Sequence, residues 1–122
     1  MFQYEIKQSF SKNVSLALDK SNKYFAVKKI SVDLFDDENF KKICEEIRIV
    51  KENNHDNIIK ISEVFVSELN LHIIYPFFCF GSCKEAIKNF FYVGFPEILC
   101  ALIIKDILLA IEYLHSKGII HR

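Results

Sequence analysis

Lys28 stands in the run Ala26-Val27-Lys28-Lys29-Ile30, and Glu46 lies on a stretch whose apolar residues recur at helical spacing. A strand ammonium and a helix carboxylate can form an ion pair. At a solvated surface such a pair is worth under about 1 kcal/mol, so these two residues alone describe an ordinary edge strand and an ordinary helix face. The other reactive side chains are four cysteines, Cys44, Cys79, Cys83 and Cys100. Cys79 and Cys83 are separated by three residues rather than the two of a zinc pair, and no second pair answers them. They read as reduced, mostly buried thiols of a cytosolic protein, and no metal ligand is assigned. No glycine occurs before Gly81. The first eighty residues therefore lack the one residue type that lets a backbone approach a ligand closely and take positive φ without cost.

The elements that must position these residues follow from pattern. Tyr4 to Phe10, Val14 to Leu18 and Tyr24 to Ile30 are rich in β-branched and aromatic residues and read as strands. Asp19-Lys20-Ser21-Asn22-Lys23 is turn chemistry, which makes the last two a hairpin. Asp36-Asp37-Glu38 puts negative charge at the start of a helix, where the dipole favours it. Phe40, Ile43, Ile47 and Val50 continue that helix to about Glu52, and residues 53–57 (NNHDN) break it. Strands are expected from Ile58 to Val66 and from Leu69 to Tyr75, with a polar turn at Ser67-Glu68. Ser82 with Glu85 is a capping-box pattern opening a short helix. Pro96 suits a first helical position, and Gly118 suits the left-handed stop of a helix running to about Lys117. Strands, a helix, two strands and then helices give an α+β order.

Composition narrows the function classes. A chain of 122 residues with 51% hydrophobic content and no formal net charge is globular, the size of one small domain or one lobe. Neutral charge gives no electrostatic argument for nucleic acid or a membrane surface. The start of the chain lacks the apolar core of a signal peptide. Ile98 to Leu114 is apolar enough to suggest a membrane span, but Lys105, Asp106 and Glu112 interrupt it. Each charge costs about 2.5–3.5 kcal/mol at a helix centre, so a buried helix is expected there instead.

The order of the pieces resembles the protein kinases. An Ala-x-Lys strand, a helix glutamate, His55-Asp56-Asn57-Ile58, an aromatic hinge segment and the ending from Tyr113 to Arg122 (YLHSKGIIHR) follow one another as in that family. The resemblance implies a kinase-like N-lobe and hinge over residues 1–78, a five-stranded antiparallel sheet plus one regulatory helix. The start of a C-lobe follows at 79–122. It implies an ATP site in which Lys28 holds the α- and β-phosphates and Glu46 holds Lys28, with Glu45 the alternative one register away. Val14 aligns with an apolar residue flanking the phosphate loop, and Ala26 with the alanine of the lysine motif. Tyr75 falls at the gatekeeper position. The Pro76 carbonyl would accept from the adenine amino group and the Phe78 amide would donate to the ring. The family's catalytic Asp follows His-Arg and its metal-binding Asp-Phe-Gly follows later. Neither has a counterpart among these residues, so no catalytic or metal-binding residue is assigned.

Two features single out one branch. Lys7, Ser9 and Lys12 fall where the family's phosphate loop carries glycines. The run from Phe78 to Ile87 (FCFGSCKEAI) is similar to the hinge and following helix of the STRAD adaptors, pseudokinases related to the sterile-twenty kinases. That resemblance implies a regulatory adaptor that binds and allosterically activates a partner Ser/Thr kinase of the liver-kinase-B type. An armadillo-like scaffold protein would complete the assembly. Weak ATP binding and a place in the cytoplasm, with the nucleus as a second compartment, are expected with it; the neutral charge gives the expectation of no nucleic-acid or membrane partner. STRAD members commonly replace the motif lysine, whereas Lys28 is retained. The alternative is the amino-terminal part of an active serine/threonine kinase, and whether the protein is an enzyme stays open at this point. In the kinase fold the rest of the C-lobe covers the helix near residues 97–117. The chain by itself is therefore expected to expose an apolar patch.

Overall fold

The computed structural model describes residues 4–34 and 36–121. They divide into two compact units. One holds a sheet, one helix and Ile59–Phe77; the other joins His55–Ile58 to the residues from Phe78 onward.

In the first unit, β1 (Glu5–Ser9), β2 (Val14–Leu18), β3 (Tyr24–Ser31), β4 (Glu63–Ser67) and β5 (Asn70–Pro76) form one antiparallel sheet in the order β1-β2-β3-β5-β4. Helix α1 (Asp37–Glu52) separates β3 from β4. Local chemistry sets most of these boundaries. The Asp19 carboxylate accepts from the amides of Ser21 (2.8 Å) and Lys23 (2.9 Å), closing the β2–β3 turn with Asn22 at φ 62°. Those bonds, led by the Lys23 amide, hold its carboxyl below the usual range. Asp36 caps α1 by accepting from the Asn39 amide at 2.8 Å.

Two expectations shift. The β4–β5 turn is centred on Glu68 (φ 51°) and Leu69 (φ 58°), one residue later than Ser67-Glu68. A two-residue hairpin of this hand needs both central residues left-handed, and here neither is glycine. The expected strand from Ile58 starts only at Glu63. His55–Ile58 is held in the other unit instead: Asn57 Nδ2 donates to the Asp106 carbonyl at 2.9 Å, and the His55 and Tyr113 rings lie 5.1 Å apart. Tertiary contact outweighs the β propensity of these isoleucines.

Strand alternation sends Ala17, Phe25, Val27 and Ile74 to one face, where they form the core with Tyr4 and Phe65. The Tyr4 ring meets Phe25 edge-on at 5.5 Å and lies parallel to Phe65 at 6.5 Å. Its hydroxyl donates to Glu63 at 2.7 Å. Burial, then the bond and charge of Glu63, push the Tyr4 phenol up to about 12. Because β5 lies between β3 and β4, Leu71 to Ile74 are buried on both faces.

In the second unit, α2 (Cys83–Phe90) begins with the expected capping box: Ser82 Oγ accepts from the Glu85 amide and Glu85 accepts from the Ser82 amide at 2.7 Å. Pro96 is the N-cap of α3 (Glu97–Ser116) rather than its first helical residue, with ψ 146° still extended. The helix ends in a Schellman arrangement. Gly118 at φ 72° donates to the His115 carbonyl (2.9 Å) and Ile119 to that of Leu114 (3.0 Å).

As expected of this chain by itself, α3 is left largely uncovered. Ala110 is its one buried residue among those described, and Ile98, Leu102, Ile104, Ile107 and Leu108 are each at least half exposed. No described helix is long and apolar enough to cross a membrane. The cysteines are free, as expected, but not mostly buried: Cys44, Cys79 and Cys83 are exposed and Cys100 is half-buried. Cys44 lies on an α1 face directed to solvent, and the other two exposed thiols flank the start of α2.

Candidate functional site

Pairing register brings the sheet residues together. Val14 lies opposite Lys28, Leu16 opposite Ala26 and Leu18 opposite Tyr24; across β3, Ala26 faces Tyr75 and Lys28 faces Ile73. Alternation puts Val14, Leu16, Ala26, Lys28 and Tyr75 on the face opposite the Phe25–Ile74 core. Pro76 ends β5 opposite Phe25. Phe78 is the first residue of the second unit after the hinge, and its carbonyl accepts from the Gly81 amide at 3.0 Å.

Two glutamates on α1 have different surroundings. Glu45 is held by Arg48 through two bonds of 2.9 and 2.5 Å, and Arg48 also reaches Glu52 at 2.6 Å. The Arg48 bonds keep the Glu45 carboxyl below its usual range. The Tyr75 phenol is pushed up by burial first and by the charge of Glu46 second. Of the two candidates, Glu45 is the one committed to an arginine of its own helix. Lys28 and Glu46 are both exposed, and no ion pair joins them among the described residues.

The β1–β2 turn has none of the glycines that a phosphate cradle uses. The amides of Phe10 and Ser11 donate to the Val14 carbonyl at 2.9 and 3.1 Å. Those of Asn13 and Val14 donate to Ser11 Oγ at 3.3 and 3.1 Å. A phosphate cradle works by pointing such amides at the anion, and here four of them are satisfied inside the turn. The β1 ladder slips between Ile6 and Gln8, and the Lys7 ammonium rests on Glu5. The apolar surface of Leu16 and Ala26 suits a flat base, while the turn does not suit its phosphates.

One contact was not legible in the residue pattern. The Phe10 ring lies parallel to Phe77, centroids 6.1 Å apart with 4° between planes, and Tyr24 packs on Phe77 at 6.1 Å. Tyr24 shares its strand face with Ala26 and Lys28, so the aromatic group lies on the candidate face. The only signal in the sequence was an aromatic residue at each of two distant positions.

Comparison with known proteins agrees with this geometry. The model of the protein kinase domain family matches residues 9–122. MAP3K epsilon protein kinase 2 of Arabidopsis thaliana is 34% identical over 119 residues, covering 97% of this chain and 9% of that protein. STE20-related kinase adapter protein alpha is 30% identical over 110 residues in both Gallus gallus and Homo sapiens, covering 89% of this chain and 28% and 26% of those proteins. The chain thus spans about a tenth to about a quarter of the length of these relatives. A five-stranded sheet with this order and register and a family match over nearly all residues lead to one assignment: the chain belongs to the protein kinase domain family.

Proposed function

We propose that this chain is the amino-terminal part of a STRAD-like regulatory adaptor, which binds a partner Ser/Thr kinase of the liver-kinase-B type and raises its activity. An armadillo-like scaffold protein completes the assembly, and the complex works in the cytoplasm and nucleus without nucleic-acid or membrane partners. The reading is carried by the β1–β2 turn, whose amides are spent on Val14 and Ser11. Similarity to the STE20-related kinase adapter proteins supports it. An adaptor acts by preferring the active arrangement of its partner and shifting that population through differential contact. Mixing the protein with its partner kinase should raise partner phosphorylation several-fold. Stable binding without any rise sinks the activator role.

Residual nucleotide binding belongs to the same reading. We assign Val14, Ala26 and Lys28 to the ATP site, with Glu46 and the backbone groups of Pro76 and Phe78 in the roles the family resemblance implies, and binding is weak because the phosphates lack a cradle. Titration calorimetry should show weak ATP binding with little magnesium dependence, abolished by Lys28→Ala. Sub-micromolar binding that requires magnesium would overturn the weak-site reading.

A second reading is favoured by a specific observation. Similarity to MAP3K epsilon kinases covers 97% of the chain at 34% identity, and Lys28 is retained. On that reading the chain is the start of an active ATP-dependent serine/threonine kinase. The gene sequence beyond Arg122 separates the two: Asp at the next position, Asn five residues on and a later Asp-Phe-Gly mark the enzyme.

A further inference from the structure

We infer that Phe10 is a built-in lid over the base-binding part of the candidate face, so that an adenine-type base must displace this ring to bind. The inference rests on the nucleotide reading above and adds a means by which the chain regulates that site.

Phe10 begins the turn after β1, next to the Val14 end of β2, whereas Phe77 and Tyr24 lie at the Leu18 end. The four-residue step from Val14 to Leu18 is about 13 Å long at strand rise. For Phe10 and Phe77 to stack at 6.1 Å, the two side chains must close that gap along the face. Leu16 and Ala26 lie midway along it. The turn is held in this posture by its own bonds: the Phe10 and Ser11 amides to the Val14 carbonyl, the Asn13 and Val14 amides to Ser11 Oγ, and the Lys29 amide to the Asn13 carbonyl at 2.8 Å.

The lid is removable. Phe10 is 50% exposed, so the stack is a surface aromatic pair rather than a core one, and a purine could take its place against Phe77. An offset aromatic pair contributes enough to weaken a competitor roughly two- to ten-fold. Only the base competes for this place, so adenosine and ATP should gain equally when the ring is removed.

The test is titration calorimetry of the 122-residue chain, carried on a solubilising fusion, with ATP and with adenosine. Phe10→Ala should bind both about two- to ten-fold more tightly than the unaltered chain. Phe10→Leu, which keeps an apolar side chain on the turn but removes the flat ring, should do the same and carries the measurement if the alanine variant does not fold. Equal affinity in variant and unaltered chain overturns the lid and leaves the nucleotide site standing. A gain for ATP without one for adenosine also overturns it, because the ring would then be guarding the phosphates. No binding by any of the chains overturns the nucleotide reading and the lid with it.

Discussion

His72 shows how one side chain carries information about the whole sheet. It lies on β5 between two partner strands, 7% exposed, with its ring 5.1 Å from Phe65 and nearly parallel to it. Burial lowers its pKa, and the charge of Lys29 acts in the same direction, against a bond the imidazole donates to the Ser67 backbone and the charge of Glu68. An unfolded histidine takes up its proton near pH 6.5, and folded His72 takes it up only at lower pH. Between those points the unfolded chain binds more protons, so stability is present above about pH 6.5 and is lost as pH falls below it. Thermal melts across pH 5 to 8 should show that loss, and His72→Phe should flatten it. An unchanged slope in the variant would assign the effect to another group. Glu45 and Glu46 make the same point at the candidate site. They are neighbours in sequence, yet Glu45 is committed to Arg48 and Glu46 is in no ion pair among the described residues.

Among the elements, helix ends follow most closely from local chemistry. The Ser82–Glu85 box and the Gly118 stop were legible because each depends on residues within four or five positions of one another. Ser82→Ala should destabilise α2 by about 1 kcal/mol, read as faster hydrogen exchange of amides 83–87 with α3 unaffected. A Cβ at Gly81, which has φ 66°, would run into the Glu85 carboxylate. Gly81→Ala should therefore disturb the same box through a different atom. Strand limits were less legible. Ile58, Ile59 and Ile61 carry β propensity, but strand pairing begins only at Glu63, and Asn57 and His55 contact α3 instead.

For the molecule as a whole, the decisive feature is the apolar surface of α3. Ile98 is 70% exposed and Leu108 58%, where surface of this kind marks a face that expects cover. The 122-residue chain on its own should self-associate at micromolar concentration. Ile104→Lys together with Leu108→Lys should reduce that association, as sedimentation velocity would show, without loss of helical circular dichroism. A monodisperse unaltered chain would contradict the expectation.

Periodicity, caps and turn chemistry are relations among near neighbours. The amino-acid sequence by itself therefore determined the α+β order, the strand that carries Lys28, the helix that carries Glu46, and the missing glycines of the first turn. Which glutamate pairs with Arg48, where β4 begins, how far the cysteines are exposed and where the Phe10 ring rests were decided only in three dimensions. Each of these depends on a distance between residues far apart in the chain, and only packing sets such distances.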